Sequence, residues 1–120
     1  MVSIAAWILV VLGVGHTTVG VVRFKEPLAQ AVRAGFVGQF VGHPDRRAAF
    51  WFMIFGPLLV MGGHLALHAV KTADPALLKI IGFYFLAVAL VGSLAAPTSP
   101  FWVGLIAAAV FVAAGYGWVS

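Results

Sequence analysis

Residues Ala48 to Val70 read AAFWFMIFGPLLVMGGHLALHAV, and this stretch decides the fold. It contains no Asp, Glu, Lys or Arg, and it exceeds the ~20 helical residues needed to cross a ~30 Å hydrocarbon core. Arg46 and Arg47 stand just before it and Lys71 just after it. Its glycines and Pro57 are compatible with a membrane helix, where such residues are tolerated. The reading is a membrane-crossing helix.

Three further runs share this character. One covers about Val2 to Val22, another about Leu77 to Ala96, and the last about Phe101 to Val119. Together the four runs take up most of the 120 residues, of which 63% are hydrophobic and 8% charged, with a mean hydropathy of +1.12. Soluble domains carry roughly a quarter charged residues, so this chain lacks the polar groups to cover a water-facing surface. The expected fold class is therefore all-α: a single transmembrane domain built as a four-helix bundle. No separate soluble domain is expected among these residues. A cleavable signal peptide is not expected either, because the first apolar run has no Lys or Arg before it and exceeds the 7–15 residues of a signal core.

The connections set the direction of each helix. Lys71-Thr72-Ala73-Asp74-Pro75 is a tight turn in which Asp74 and Pro75 form a helix start. Pro97-Thr98-Ser99-Pro100 is shorter still and uncharged. Short connections make neighbouring helices antiparallel, giving an up-down-up-down order. The longest connection, about Arg23 to Arg47, holds Pro27 and an apolar series Leu28, Val32, Phe36 and Phe40 interrupted by Gln30, Arg33 and Gln39. This pattern predicts a short amphipathic helix lying in the interface, broken at Gly42, His43 and Pro44; an irregular loop is the alternative.

Net charge is +4 and the isoelectric point about 10.2. The cations are placed for a membrane and not for nucleic acid. Arg23, Lys25, Arg33, Arg46 and Arg47 fall on the first connection, leaving Lys71 and Lys79 for the second. By the positive-inside rule the first and third connections are cytoplasmic and both termini lie outside, in a multi-pass protein of the cell membrane. No extended water-exposed basic face is available for a nucleic-acid partner. Cysteine is absent, which removes disulfides, thiolate metal sites and thiol catalysis.

Polar groups inside a membrane are costly, so the few present are informative. His16, His64 and His68 lie within the runs, whereas Glu26, Asp45 and Asp74 lie in or beside connections. Small multidrug exporters of similar size depend on a glutamate in their first span. Here that span offers His16, Thr17 and Thr18 instead, which disfavours carboxylate-coupled antiport. At ~1.5 Å per residue, His16 lies roughly 10 Å from the Arg23 end and His64 roughly 10 Å from the Lys71 end, giving two polar levels.

The outer level is the richer one. His64 and His68 are four residues apart and share a helix face that Met61, Pro57 and Met53 continue, with Gly62 and Gly63 leaving room for a helix or a ligand. Tyr84 and Tyr116 are expected near the same depth. Two such imidazoles can hold a transition metal, or one of them a haem b iron. His64 and His68 are thus the candidate cofactor or metal ligands, with His64 and Tyr84 the candidate catalytic groups. The plain alternative is cross-helix hydrogen bonding by His64 and an interfacial place for His68. At the inner level His16 and Thr17, with Thr18 and Ser93 nearby, read as structural, since Thr hydroxyls commonly bond back to their own helix. His43 reads as solvated. Small residues form faces on the first run (Gly13, Gly20) and the fourth (Gly104, Ala108, Gly115), suited to packing within the chain or to a homo-oligomer. Trp51, Trp102, Tyr116 and Trp118 read as interfacial aromatics.

The segments Gly15-His16-Thr17-Thr18-Val19-Gly20 and Arg47-Ala48-Ala49-Phe50-Trp51-Phe52 resemble those of an uncharacterised family of small bacterial four-span proteins. The resemblance extends over most of the chain and implies no activity. In size and span count the chain is also similar to styrene oxide isomerase, whose family uses a histidine-held haem. No motif residue of that family can be placed here, so the similarity is architectural. The functional expectation is a membrane-embedded binding protein for a lipophilic small molecule, or an enzyme acting on one, such as an isomerase, using haem or metal at His64 and His68. The alternatives are a subunit that packs against a membrane partner, and a small transporter coupled through histidine.

Overall fold

The computed structural model describes all residues from Met1 to Ser120. It contains five helices and no strand: α1 Val2–Arg23, α2 Lys25–Arg33, α3 Pro44–Lys71, α4 Pro75–Ala95 and α5 Phe101–Gly115. Each of α1, α3 and α4 is long and apolar enough to cross a membrane; α5, at 15 residues, is shorter.

Local chemistry explains where the helices stop. Pro27 has no N–H to give the Arg23 carbonyl, and its ring crowds that position. Helix α1 therefore ends at Arg23 and α2 begins after Phe24. Helix α2 closes with a left-handed Gly35 (φ 105), where the Gly35 N–H donates to Val32 O at 3.1 Å and the Phe36 N–H to Ala31 O at 2.8 Å. This pair of bonds is a Schellman closure. The expected amphipathic helix is thus present, but Phe36 and Phe40 lie beyond its end. After the break at Gly42 and His43, Pro44 takes the first helical position and α3 starts ahead of the Ala48 boundary expected from hydropathy.

The same closure recurs twice. At the end of α3, Ala73 N donates to Val70 O at 3.3 Å and Asp74 N to Ala69 O at 2.8 Å, with Ala73 at φ 51. The Asp74 carboxylate then caps α4 by accepting from Leu77 N at 3.0 Å, as the Asp-Pro pair predicts. At the end of α5, Gly117 (φ 78) donates to Ala114 O at 3.0 Å and Trp118 to Ala113 O at 2.9 Å. Helix α5 accordingly stops at Gly115, short of the Val119 expected.

The chain divides into two compact units. One comprises Met1–Val10 with Met61–Ser120. In it Gly62 is filled by the Phe85 ring and Leu9, and Gly63 lies against Val10 and the Ala6 carbonyl. Gly82 meets Val112 and Phe111, Gly92 meets the Phe101 ring, and Gly115 lies against Lys79. Phe111, Ala108 and Leu9 are completely buried. The Met1 amino group donates to Ser120 O at 3.0 Å, so the two ends of the chain meet.

The other unit is Val11–Val60. There Gly13 faces the Gly56 carbonyl and Val60, and Gly20 faces Phe52 and Met53. A Cβ on Gly13 would come within 2.7 Å of the Gly56 oxygen, so only glycine permits this approach.

Candidate functional site

The polar level around His16 is built by α1 and α3. His16 lies half-buried, and its Nε2 is 2.8 Å from the Phe52 carbonyl oxygen. A carbonyl only accepts, so Nε2 carries the proton and donates. The imidazole stacks on the Phe52 ring with centroids 3.8 Å apart, and Phe55 meets it edge-on at 5.5 Å. The Thr17 hydroxyl donates to Gly13 O at 3.0 Å and the Thr18 hydroxyl to Val14 O at 2.9 Å, both back-bonds within α1. An open groove of about 400 Å³ runs alongside, lined by Val14, Thr17, Thr18, Pro57 and Val60. All three polar side chains are thus committed to backbone carbonyls, and the groove that the two threonines border is mainly apolar.

His64 and His68 present a different picture. Both are exposed on α3, as are Met61 and Pro57, while Gly62, Gly63, Ala66 and Ala69 on the opposite side are buried. Neither imidazole has a hydrogen-bond partner or ring contact in the chain. The space beside the two glycines is taken by α1 and α4 side chains and is not open to a ligand. No group of three or more His, Cys, Asp or Glu is placed to hold a metal ion.

The tyrosines do not join these histidines. Tyr84 is 74% exposed on α4 and makes no hydrogen bond. Tyr116 stacks on Trp118 at 5.1 Å, meets Phe83 edge-on at 6.4 Å, and carries the Lys79 ammonium 4.5 Å above its ring. That cation–π contact, which residue spacing did not reveal, holds Lys79 at the end of α4 next to Gly115. Ser93 is 2% exposed, and its hydroxyl has no partner. His43 is exposed, in keeping with a solvated loop residue.

Fold and site together define an all-helical protein with several helices suited to a membrane and one exposed two-imidazole face. The chain belongs to the family of unknown function DUF6463, whose model matches residues 2–118. No curated protein and no solved structure matches it.

Proposed function

We propose that this chain is a small four-span membrane protein whose His64/His68 face binds a transition metal or haem together with a lipophilic ligand. The observation that supports the membrane setting is the exposed surface. Only 28% of the most apolar window of α1, α3 and α4 is buried inside the chain, and the exposed remainder includes Trp7, Ile8, Val11, Ile54, Leu58 and Leu90. Water-soluble monomers do not present apolar surface on this scale. The Met1–Ser120 contact favours an even number of crossings, with α5 as the fourth. Counting Lys and Arg then places the first connection in the cytoplasm and both termini outside.

The histidine reading rests on two unpartnered imidazoles on an apolar helix. Left bare in lipid they are costly, so a group outside the chain is expected to cover them. Two nitrogens four residues apart are half a tetrahedral site, and with no third ligand in the chain a second copy or a bound ligand completes it. A second copy packed on this face would supply the further imidazoles that a metal or a haem iron would need. Transport coupled through His16 is less favoured, because its Nε2–H is engaged by Phe52.

An absorption spectrum with elemental analysis on detergent-purified protein tests the proposal. A Soret band, or metal that is lost in both His64→Ala and His68→Ala, is the expected result. Colourless, metal-free protein indifferent to both substitutions sinks the cofactor reading and leaves a subunit that packs a membrane partner.

A further inference from the structure

The segment between α1 and α3 combines unpaired cations with outward-facing apolar side chains. Arg23, Lys25, Arg33, Arg46 and Arg47 stand against only Glu26 and Asp45, and none of the five forms an ion pair. Asp45 instead accepts from the Arg46 backbone N–H at 2.9 Å. Interleaved with these charges, Val32 is 63% exposed, Phe36 55%, Val37 85% and Val41 78%.

This surface is folded. The Gly35 closure turns the chain, Phe36 meets Phe40 edge-on at 5.3 Å, and Phe40 meets Phe50 of α3 at 5.5 Å. Arg46 Nη1 donates to the Gln39 carbonyl at 3.3 Å and to Gln39 Oε1 at 3.4 Å, tying the loop to the start of α3. Its Nε is buried without an acceptor, so the guanidinium keeps an unmet donor at the base of the loop.

We infer that α2, the loop of residues 34–43 and the first turn of α3 form a binding surface for anionic phospholipid head groups, with Lys25, Arg33 and Arg47 meeting phosphates and the valines and Phe36 entering the acyl boundary. The inference rests on the membrane-spanning reading above. Exposed Lys, Glu, Gln and Arg on α2, followed by exposed valines, match an element that lies in an interface. A nucleic-acid surface would need aromatic faces free for base stacking, whereas the residues most exposed here are aliphatic. Anionic lipid attracts basic residues beside a membrane helix, each worth about fivefold in affinity.

The chain has no cysteine, so Val37→Cys carries a single environment-sensitive fluorophore without background. The labelled protein is placed in nanodiscs of phosphatidylcholine with and without phosphatidylglycerol, and the lipids retained after purification from mixed vesicles are quantified. The expected result is a blue-shifted emission, stronger with phosphatidylglycerol, and retained lipid enriched in phosphatidylglycerol. Lys25→Gln, Arg33→Gln and Arg47→Gln together should erase that enrichment, with Lys71→Gln leaving it intact. A water-exposed label in phosphatidylglycerol nanodiscs overturns the inference, as does equal retention of both lipids, an enrichment that survives the triple substitution, or tighter binding to heparin than to anionic vesicles. Those outcomes in a protein that still requires detergent sink only this inference; a chain monodisperse without detergent sinks the membrane reading beneath it.

Discussion

At φ 51, Ala73 holds the left-handed position that Gly35 and Gly117 fill at the ends of α2 and α5. An L-residue with a Cβ is strained there, by roughly 1–2 kcal/mol. Glycine relieves the strain but adds freedom to the unfolded chain, so Ala73→Gly should stabilise by about 0.5–1 kcal/mol in detergent unfolding. Next to it, Asp74→Ala should cost about 1 kcal/mol through the lost cap to Leu77, and Asp74→Asn much less. The Asp-Pro pair announced that cap in the sequence. Ala73 gave no such signal, because its conformation is imposed by the closing bonds and not by its type. His16 shows a second limit to sequence reading. Its place within an apolar helix was legible, but its acceptor, Phe52 O, lies on a helix 36 residues away. Replacing His16 by Phe keeps the ring stack and removes the hydrogen bond, for an expected loss of about 1 kcal/mol. Any metal or chromophore held at His64 and His68 should survive that change, and an absorption spectrum of the variant checks it.

Among the elements, small residues recur every seventh position on two helices: Ala6, Gly13 and Gly20 on α1, and Ala49, Gly56 and Gly63 on α3. All six are buried. A seven-residue spacing keeps them on one side of a helix, where the absence of side chains lets backbones approach. Gly13→Ala should therefore destabilise, because the new Cβ meets the Gly56 carbonyl at 2.7 Å and Val60 N at 2.8 Å, and backbone atoms cannot swing aside. A loss of about 1–3 kcal/mol is expected, as for other overpacked contacts. Gly15→Ala is the matched control. Nothing lies within 4 Å of its Cβ, so the better helix propensity of alanine should leave stability equal or raised by up to about 1 kcal/mol. Thermal unfolding of the pair in one detergent decides between them. Gly13 and Gly20 were visible as a packing face in the sequence, as were the helices themselves. The boundaries were harder to see. An apolar series runs on through Phe36 and Phe40, yet Gly35 has already closed α2, and the Tyr116-Gly117 closure ends α5 inside an apolar run. Hydropathy averages over a turn that one left-handed residue creates.

Across the whole molecule, the apolar runs revealed the all-helical class of fold, and three of them form helices long and apolar enough to cross a membrane. The sequence names no partner for His64 and His68, and within the chain both stand exposed. Helix α5 poses the remaining architectural question. Its 15 residues rise only ~22 Å, less than a ~30 Å core. A short span is accommodated by local thinning or by interfacial aromatics at its ends, and Trp102 at one end with Tyr116 and Trp118 at the other are suited to that. If α5 crosses, the chain returns to the side on which it began, in agreement with the Met1 amino group bonded to Ser120 O. Single cysteines in this cysteine-free chain test the point with a membrane-impermeant maleimide on sealed vesicles. Ser120→Cys and Thr72→Cys should label from one side, and His43→Cys and Thr98→Cys only from the other. All four positions are exposed on the chain, and labelling after detergent solubilisation separates sidedness from lipid cover at His43. Labelling of Ser120→Cys together with Thr98→Cys would mean that α5 lies along the surface, leaving three crossings and the two ends of the chain on opposite sides of the membrane.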